Sequence, residues 1–283
     1  MERISIELGT VQETLLSTLY ARALETGKKK RGLIQDPRAV EMVEQIDYDF
    51  TKFVGSPTLG ASVLRTLFYD DWVRKFLSSH PGGTVVEIGA GLNTRFERVD
   101  NGRMHWVDVD LPDAMELRER FFSESERRRL VGGSVLDDSW FEVVRSLPAP
   151  YFFVSEGVLL YLDEADVRSA LGQLAQGFPG SRVAFDTAGR WMVEHQGDEM
   201  FVKTVDAEYS WHCDDPEVVQ RWDIGLRLTE SRTLLQLPRG LRSRLPLVPR
   251  LALAGAKAFY GKKARVYMLN LFESQPSLSA SNQ

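Results

Sequence analysis

The stretch TVVEIGAGLNTRF, residues 84–96, decides how this chain folds. β-Branched residues lead through Glu87 and Ile88 into Gly89, Ala90 and Gly91, the pattern of a buried strand that ends in a glycine turn and opens a helix. Backbone N–H groups in such a turn can approach a ligand closely, because no side chain stands in the way. A dinucleotide fingerprint would want a third glycine at position 94, where it lets helix and strand close up beneath a pyrophosphate; Thr94 and Arg95 follow instead. Asp110 comes 19 residues after Gly91, behind the apolar run MHWVDV at 104–109. An acid at the tip of a second strand can accept hydrogen bonds from both hydroxyls of a ribose. The combination predicts an adenosine-type cofactor without a pyrophosphate, with S-adenosylmethionine the leading candidate. A nicotinamide oxidoreductase is the more distant reading, disfavoured by Thr94.

Composition bounds the possibilities. With 283 residues, 43% of them hydrophobic, 15 Phe and 6 Trp, the chain can bury a large core as one elaborated domain or a domain with a lid. A net charge of −5 argues against general binding to nucleic-acid phosphates, so no nucleic acid is expected as a partner. The opening MERISIELGT lacks a signal-peptide pattern, and no run reaches the roughly 20 apolar residues that cross a bilayer, so a cytoplasmic enzyme with no membrane partner is expected. One cysteine, Cys213, excludes an internal disulfide, and His80, His105, His195 and His212 lack ligand spacing, so no metal is expected. The oligomeric state is left open.

Periodicity divides the chain. Thr10 to Glu13 reads as a capping box with Val11, Leu15, Leu19 and Ala23 on one helical face, Asp36-Pro37 suits the start of a second helix, and residues 59–77 form a third. Residues 1–80 are thus expected to be a helical cap. Residues 81–190 form the cofactor-binding core, with strands at 84–88, 104–109, 131–136, 151–155 and 182–186 and helices at 113–122 and 164–176, the latter running from Asp163 to a stop at Gly177. Residues 191–222 read as a lid or acceptor region, 223–273 as two strands (225–235 and 264–272) around a helical insertion, and 274–283 as a frayed tail. Short apolar strands spaced by helices predict an α/β fold with a parallel sheet covered on both faces.

In such a sheet, ligands lie beyond the carboxyl ends of the strands. Glu87, Asp108, Asp110, Asp137, Asp138 and Glu156 all fall on that rim. For each acid a helix cap or solvated loop carboxylate is the competing explanation; their shared edge favours function.

The segments VVEIGAGLNTRF, WVDVDLP and FFVSEGVLLYL, in this order and spacing, resemble the leucine carboxyl methyltransferase family, in particular its bacterial polyketide-type O-methyltransferases. The resemblance implies a class I S-adenosylmethionine-dependent enzyme. Its sheet would be Rossmann-like, mostly parallel with a final antiparallel strand, and would carry an N-terminal helical extension and helical lid insertions. It also implies roles. Arg65 in VLRTLFYDDW would bind the cofactor's carboxylate, and Arg22 would close over the amino-acid end. Gly89, Ala90 and Gly91 would pass beside the methionine part, Asp110 would take the ribose and Asp137 would read the adenine amino group, with Glu87, Leu111 and Leu136 among the other cofactor-binding residues. Glu156 and Tyr161 would stand by the sulfonium and the acceptor as the catalytic pair. Asn93, where relatives often carry Asp, and Asp138, where they carry an apolar residue, depart from the pattern.

Methyl transfer needs alignment and exclusion of water rather than a nucleophilic side chain. A carboxylate acceptor requires no base, whereas a phenol gains from one. His195 and His212 are candidate bases, each also readable as an ordinary structural histidine, and their scarcity favours a carboxylate. Trp191, Met192, Met200, Phe201, Tyr209, Trp211 and Trp222 could line a pocket for a flat ring or simply pack the core. Arg239, Arg242, Arg244, Arg250, Lys257, Lys262, Lys263 and Arg265 could form a solvated face, or attract a carboxylated substrate or an acidic carrier protein. The leading expectation is a small-molecule acceptor, free or carrier-bound. The alternatives are a protein C-terminal carboxylate or a non-catalytic cofactor-binding module.

Overall fold

The protein's structure, a computed structural model, describes residues 3–6, 10–28, 32–56, 58–196, 208–238, 240 and 266–275. Before the main sheet come β1 (Ile4–Ser5), α1 (Thr10–Thr26), α2 (Pro37–Gln45), β2 (Ile46–Asp47) and α3 (Thr58–Ser79). Helix α2 starts where the sequence says it should. The Asp36 carboxylate accepts the Ala39 N–H at 3.0 Å, and Pro37 fills the first turn, where its missing donor costs nothing. The capping-box side chains of Thr10 and Glu13 lie outside the described residues; Thr10 itself is already helical.

The core then alternates: β3 (Thr84–Ile88), α4 (Arg95–Val99), β4 (His105–Asp110), α5 (Pro112–Glu119), β5 (Arg128–Gly132), α6 (Phe141–Arg145), β6 (Tyr151–Ser155), α7 (Glu164–Gly177) and β7 (Arg182–Ala188). After it come α8 (Arg190–Glu194), α9 (Glu217–Arg221), β8 (Leu226–Thr233) and β9 (Tyr267–Ser274). Helix α7 shows both expected signals, with the Asp163 carboxylate accepting the Asp166 N–H at 2.8 Å and Gly177 as its last residue. Seven strands form one sheet in the order β5-β4-β3-β6-β7-β9-β8. The first five run parallel, and β9 is antiparallel to both β7 and β8. The direction of winding changes between β3 and β6, which opens a crevice at their carboxyl ends.

Two layers cover this sheet. Val86, Ile88, Val107, Val109, Phe153 and Phe185 pack under α7 with Trp140, Phe141 and Phe178, while Val85, Trp106, Phe152, Val154 and Ala184 pack under Phe68, Trp72, Val73 and Phe76 of α3. Each such fully buried large side chain contributes about 1.5–3 kcal/mol. In a third cluster, Leu16, Leu19 and Ala23 of α1 join Met42, Ile46, Phe50 and Phe53 and reach Leu92 behind the glycine turn. That packing sets α1 across the crevice.

Strand β5 departs from expectation, ending at Gly132 instead of running over 131–136. The Gly132-Gly133 pair has no side chains to pack on a sheet, and Asp108 and Glu97 draw Arg128 into pairing at the strand's start. The 133–137 stretch is therefore loop. Strand β9 continues to Ser274, whose N–H reaches the Ser181 carbonyl at 2.8 Å, one residue into the stretch expected to fray. Among the described residues no helix is long and apolar enough to cross a membrane, and no His, Cys, Asp or Glu cluster could hold a metal ion.

Candidate active site

Gly89 and Gly91 adopt φ of 68° and 44°, a left-handed backbone that strains any other residue. A Cβ at Gly91 would also stand 2.6 Å from Leu15 of α1, so the turn and the covering helix need the glycine together. The Asp110 carboxylate holds this turn from below, accepting the Gly91 N–H at 2.6 Å and the Leu111 N–H at 2.8 Å. Burial raises its pKa, opposed by those two backbone donors and Arg118. Gly133 donates to the Asp110 carbonyl at 2.8 Å, which sets the 133–137 loop beside the same rim. There Leu111 and Leu136 stand 53% and 38% exposed, apolar edges suited to flank a planar ring. Asp137 is exposed and closes its own turn through the Ser139 hydroxyl and N–H, and the Ser139 hydroxyl lowers its pKa.

On the other side of the turn lies a cavity of about 160 Å³. Its floor is Gly89, Ala90, Leu92 and Asn93; its walls are Thr14, Ser17, Thr18 and Arg22 of α1, Ser62 and Arg65 of α3, and Glu156, Gly157, Tyr161 and Tyr209. Ser56 and Thr58 bond to each other at 2.7 Å beside Phe53 and Leu59 at its edge. Thr14, Thr18 and Arg22 recur every fourth residue, one helical stripe facing inward.

Buried charges support the wall. Arg65 donates from Nε to Glu156 Oε1 at 2.9 Å and from Nη1 to the Tyr267 hydroxyl at 2.9 Å; its Nη2 takes no hydrogen-bond partner among the described residues. Glu156 also accepts from the Thr66 hydroxyl at 2.9 Å and from Arg95. Burial alone would raise the Glu156 pKa, but Arg65, Arg95 and Thr66 more than offset it and hold it at about 2. Arg95 continues to Glu87 and, at 3.0 Å, to Asp70; Arg98 bonds Asp70 at 2.9 Å and Asp36 at 3.1 Å. Asp36 meets Arg22 at 3.0 Å, and Arg22 returns to the turn by donating to the Leu92 carbonyl at 2.7 Å. Burial raises the pKa of Glu87 against the pull of Arg95, and its Oε2 has no partner among the described residues. Residues 94 and 95, which break the dinucleotide pattern, thus wire α4 into this lattice.

Several expected residues lie elsewhere. Asp108 is fully buried between Arg118 at 2.9 Å and Arg128 at 2.8 Å, with the Trp106 indole on the same carboxylate, so it braces the sheet and does not join the rim. Asp138 is exposed. Neither His195 nor His212 lines the cavity; His195 stacks on Trp191 and bonds its carbonyl at 2.8 Å. Trp211 and Trp222 pack with Phe185 in the core, Met192 packs against the α3 layer, and Trp191 is exposed. Of the seven aromatic and methionine candidates only Tyr209 faces the cavity among the described residues, 5.3 Å from Tyr161. Met200, Phe201 and the basic set Arg239, Arg242, Arg244, Arg250, Lys257, Lys262, Lys263 and Arg265 lie outside the described residues. Burial raises the pKa of both Tyr161 and Tyr209, so each phenol is neutral near pH 7. Sequence reading missed the α1 hydroxyls, although the spacing of four between Thr14, Thr18 and Arg22 was there to be read. It also missed Asp186 and Tyr267, whose roles no local pattern announces.

This sheet order, with a glycine turn and acids at its carboxyl edge, is that of a class I methyltransferase. The chain belongs to the leucine carboxyl methyltransferase family, which it matches over residues 16–175. It is 33% identical over 237 residues to the tetracenomycin polyketide synthesis O-methyltransferase TcmP of Streptomyces glaucescens, covering 83% of this chain and 87% of that protein. A Gibberella zeae S-adenosyl-L-methionine-dependent methyltransferase, dpfgK, is 24% identical over 261 residues, covering 83% and 86%. A solved structure of a candidate methyltransferase from Thermobifida fusca shares the fold at a TM-score of 0.57 and 16% identity, covering 92% of this chain and 94% of that one. The protein is an S-adenosylmethionine-dependent O-methyltransferase.

Proposed function

We propose that this enzyme methylates a carboxylate on a small aromatic, polyketide-type metabolite. The observation that carries the acceptor class is the cavity wall. Its described side chains offer hydroxyls, two neutral phenols and two arginines, and its one carboxylate, Glu156, is held at about 2 and so is no proton acceptor at neutral pH. A wall with no base among its described side chains suits an acceptor that arrives ionised. The polyketide class rests on the similarity to TcmP.

The residues fit the donor by their own chemistry. Among the described residues Arg65 has one guanidinium nitrogen without a hydrogen-bond partner, available for a carboxylate, and Arg22 and the Gly89-Ala90 backbone border the same space. Asp110 would take the ribose hydroxyls, Leu111 and Leu136 would flank the adenine, and Asp137 would accept from its amino group. The bound donor supplies a methyl group on a sulfonium, which an ionised oxygen can accept without giving up a proton. Glu156 then acts as an anchor for Arg65 and Arg95. Tyr161 and Tyr209 can donate hydrogen bonds that orient the acceptor, and α1 shuts out water.

The pH dependence of kcat/KM tests the acceptor class. With a naphthalene or anthraquinone carboxylic acid, a rate that is flat from about pH 6 to 9 is expected, together with a product that alkali hydrolyses back to the acid. A methyl ether product, or a rate climbing tenfold per pH unit toward about pH 10, would refute the carboxylate reading.

A further inference from the structure

Asp186 and Tyr267 lie beyond the family-matched residues 16–175, at the carboxyl end of β7 and the start of β9. The β7–β9 register sets Asp186 opposite Leu269, and Tyr267, two residues earlier in β9, falls on the same face as a diagonal neighbour. Both are buried, at 0% and 9% exposure. The Tyr267 hydroxyl donates to Asp186 Oδ2, and its oxygen accepts from Arg65 Nη1 at 2.9 Å. Asp186 also accepts the Gly157 N–H at 3.0 Å with each oxygen.

We propose that Tyr267 and Asp186 are positioning residues that hold Arg65 for the carboxylate at the amino-acid end of the donor. The inference rests on the reading of Arg65 given above. An arginine on a helix has several rotatable bonds, and fixing it costs side-chain entropy unless neighbours do so in advance. Glu156, just beyond β6, fixes Nε and Tyr267 of β9 fixes Nη1, which leaves Nη2 for a ligand. The hydroxyl also acts as a spacer. Arg65 Nη1 lies 3.7 Å from Asp186 Oδ2, and without the phenol oxygen between them the buried pair would close directly, turning the guanidinium away from the cavity. Gly157 belongs to the same device: its φ is 71°, which favours glycine, and a Cβ there would stand 3.1 Å from Arg65 Nη1 and 3.2 Å from Nη2 and press on the guanidinium.

The test uses two ligands that share the adenosine, S-adenosylhomocysteine and 5′-methylthioadenosine, of which the second lacks the amino-acid end. Calorimetry compares the wild type with Tyr267→Phe, Asp186→Asn and Arg65→Ala. Tyr267→Phe keeps the ring packing and should weaken S-adenosylhomocysteine on the order of tenfold while leaving methylthioadenosine within about twofold. The donor KM should rise correspondingly with kcat little changed, because the lost contact acts in ground and transition state alike. Asp186→Asn retains an acceptor for Tyr267 and Gly157 and should fall between the two; it also serves if Tyr267→Phe folds poorly. Equal weakening of both ligands by Tyr267→Phe, or no weakening, overturns the positioning role when Arg65→Ala remains selective for S-adenosylhomocysteine. If Arg65→Ala weakens both ligands equally, the Arg65 reading itself falls, and the inference with it.

Discussion

Asp110 and Arg65 flank the same glycine turn, yet their surroundings are built from different materials. Asp110 is held by two backbone N–H groups, at 2.6 and 2.8 Å, beside two exposed leucines. Arg65 belongs to a lattice of buried side-chain charges that passes through Glu156, Arg95, Asp70 and Arg98 to Asp36 and Arg22. In the proposed reading the adenosine, uncharged and with a planar base, would need only a backbone-held carboxylate and apolar edges. An amino-acid end carries full charges, and in a buried site a charge must meet partners already in place, since an unpaired one costs several kcal/mol. One side of the turn is thus a rim and the other a framework.

Three outcomes would break or sharpen that contrast. The largest is expected on the framework side: Arg95→Met leaves Asp70, Glu87 and Glu156 without a shared cation and should cost about 3–5 kcal/mol in urea unfolding. A midpoint unchanged from wild type would show the lattice to be dispensable. Next comes acid sensitivity. Glu156 and Asp70 have folded pKa values depressed to about 2, from ordinary values of 4.5 and 3.8. Their stabilisation is therefore complete above the unfolded values and is lost as pH falls from about 4.5 toward 2, on the order of 3 kcal/mol for Glu156. Glu87 and Asp186, whose pKa values burial raises, oppose this, because their protonation favours the folded state as pH drops through those values. Glu156→Gln should flatten the acid limb of a melting-temperature profile; a limb as steep as that of the wild type would contradict the assignment. The smallest effect belongs to the rim. Asp110→Ala should weaken S-adenosylhomocysteine and methylthioadenosine alike, by tenfold or more, or about 1–3 kcal/mol, with a smaller change in stability than Arg95→Met. If calorimetry found methylthioadenosine unaffected, Asp110 would not be a nucleoside contact.

Much of this was legible in residues that act locally. The β-branched run into Gly89 and Gly91, the Asp36-Pro37 helix start and the Asp163 to Gly177 helix all appear where local rules put them, because caps and left-handed turns are decided within four or five residues. Strand β5 was misplaced by the same kind of reading. The apolar residues Val131, Val135 and Leu136 suggested a strand, but pairing with β4 begins at Arg128, which Asp108 holds from 20 residues away. The rim acids divided on the same ground. Asp108 and Asp110 are two apart on one strand, and what makes the first a brace and the second a rim group is that Arg118 and Arg128 converge on Asp108. Trp211 and Trp222 looked like pocket material because composition alone cannot tell an aromatic that faces a cavity from one that faces Phe185.

The sequence by itself determined the α/β class, the glycine turn, the acid 19 residues beyond Gly91, and the membership that follows from them. These features depend on short-range backbone geometry and strand spacing, which a linear pattern records. Only the tertiary structure decided which partners Arg65 and Glu156 meet. Their contact spans 91 residues of chain and the bond from Arg65 to Tyr267 spans 202, and a charge in the interior takes its role from the partners that the folded sheet brings to it.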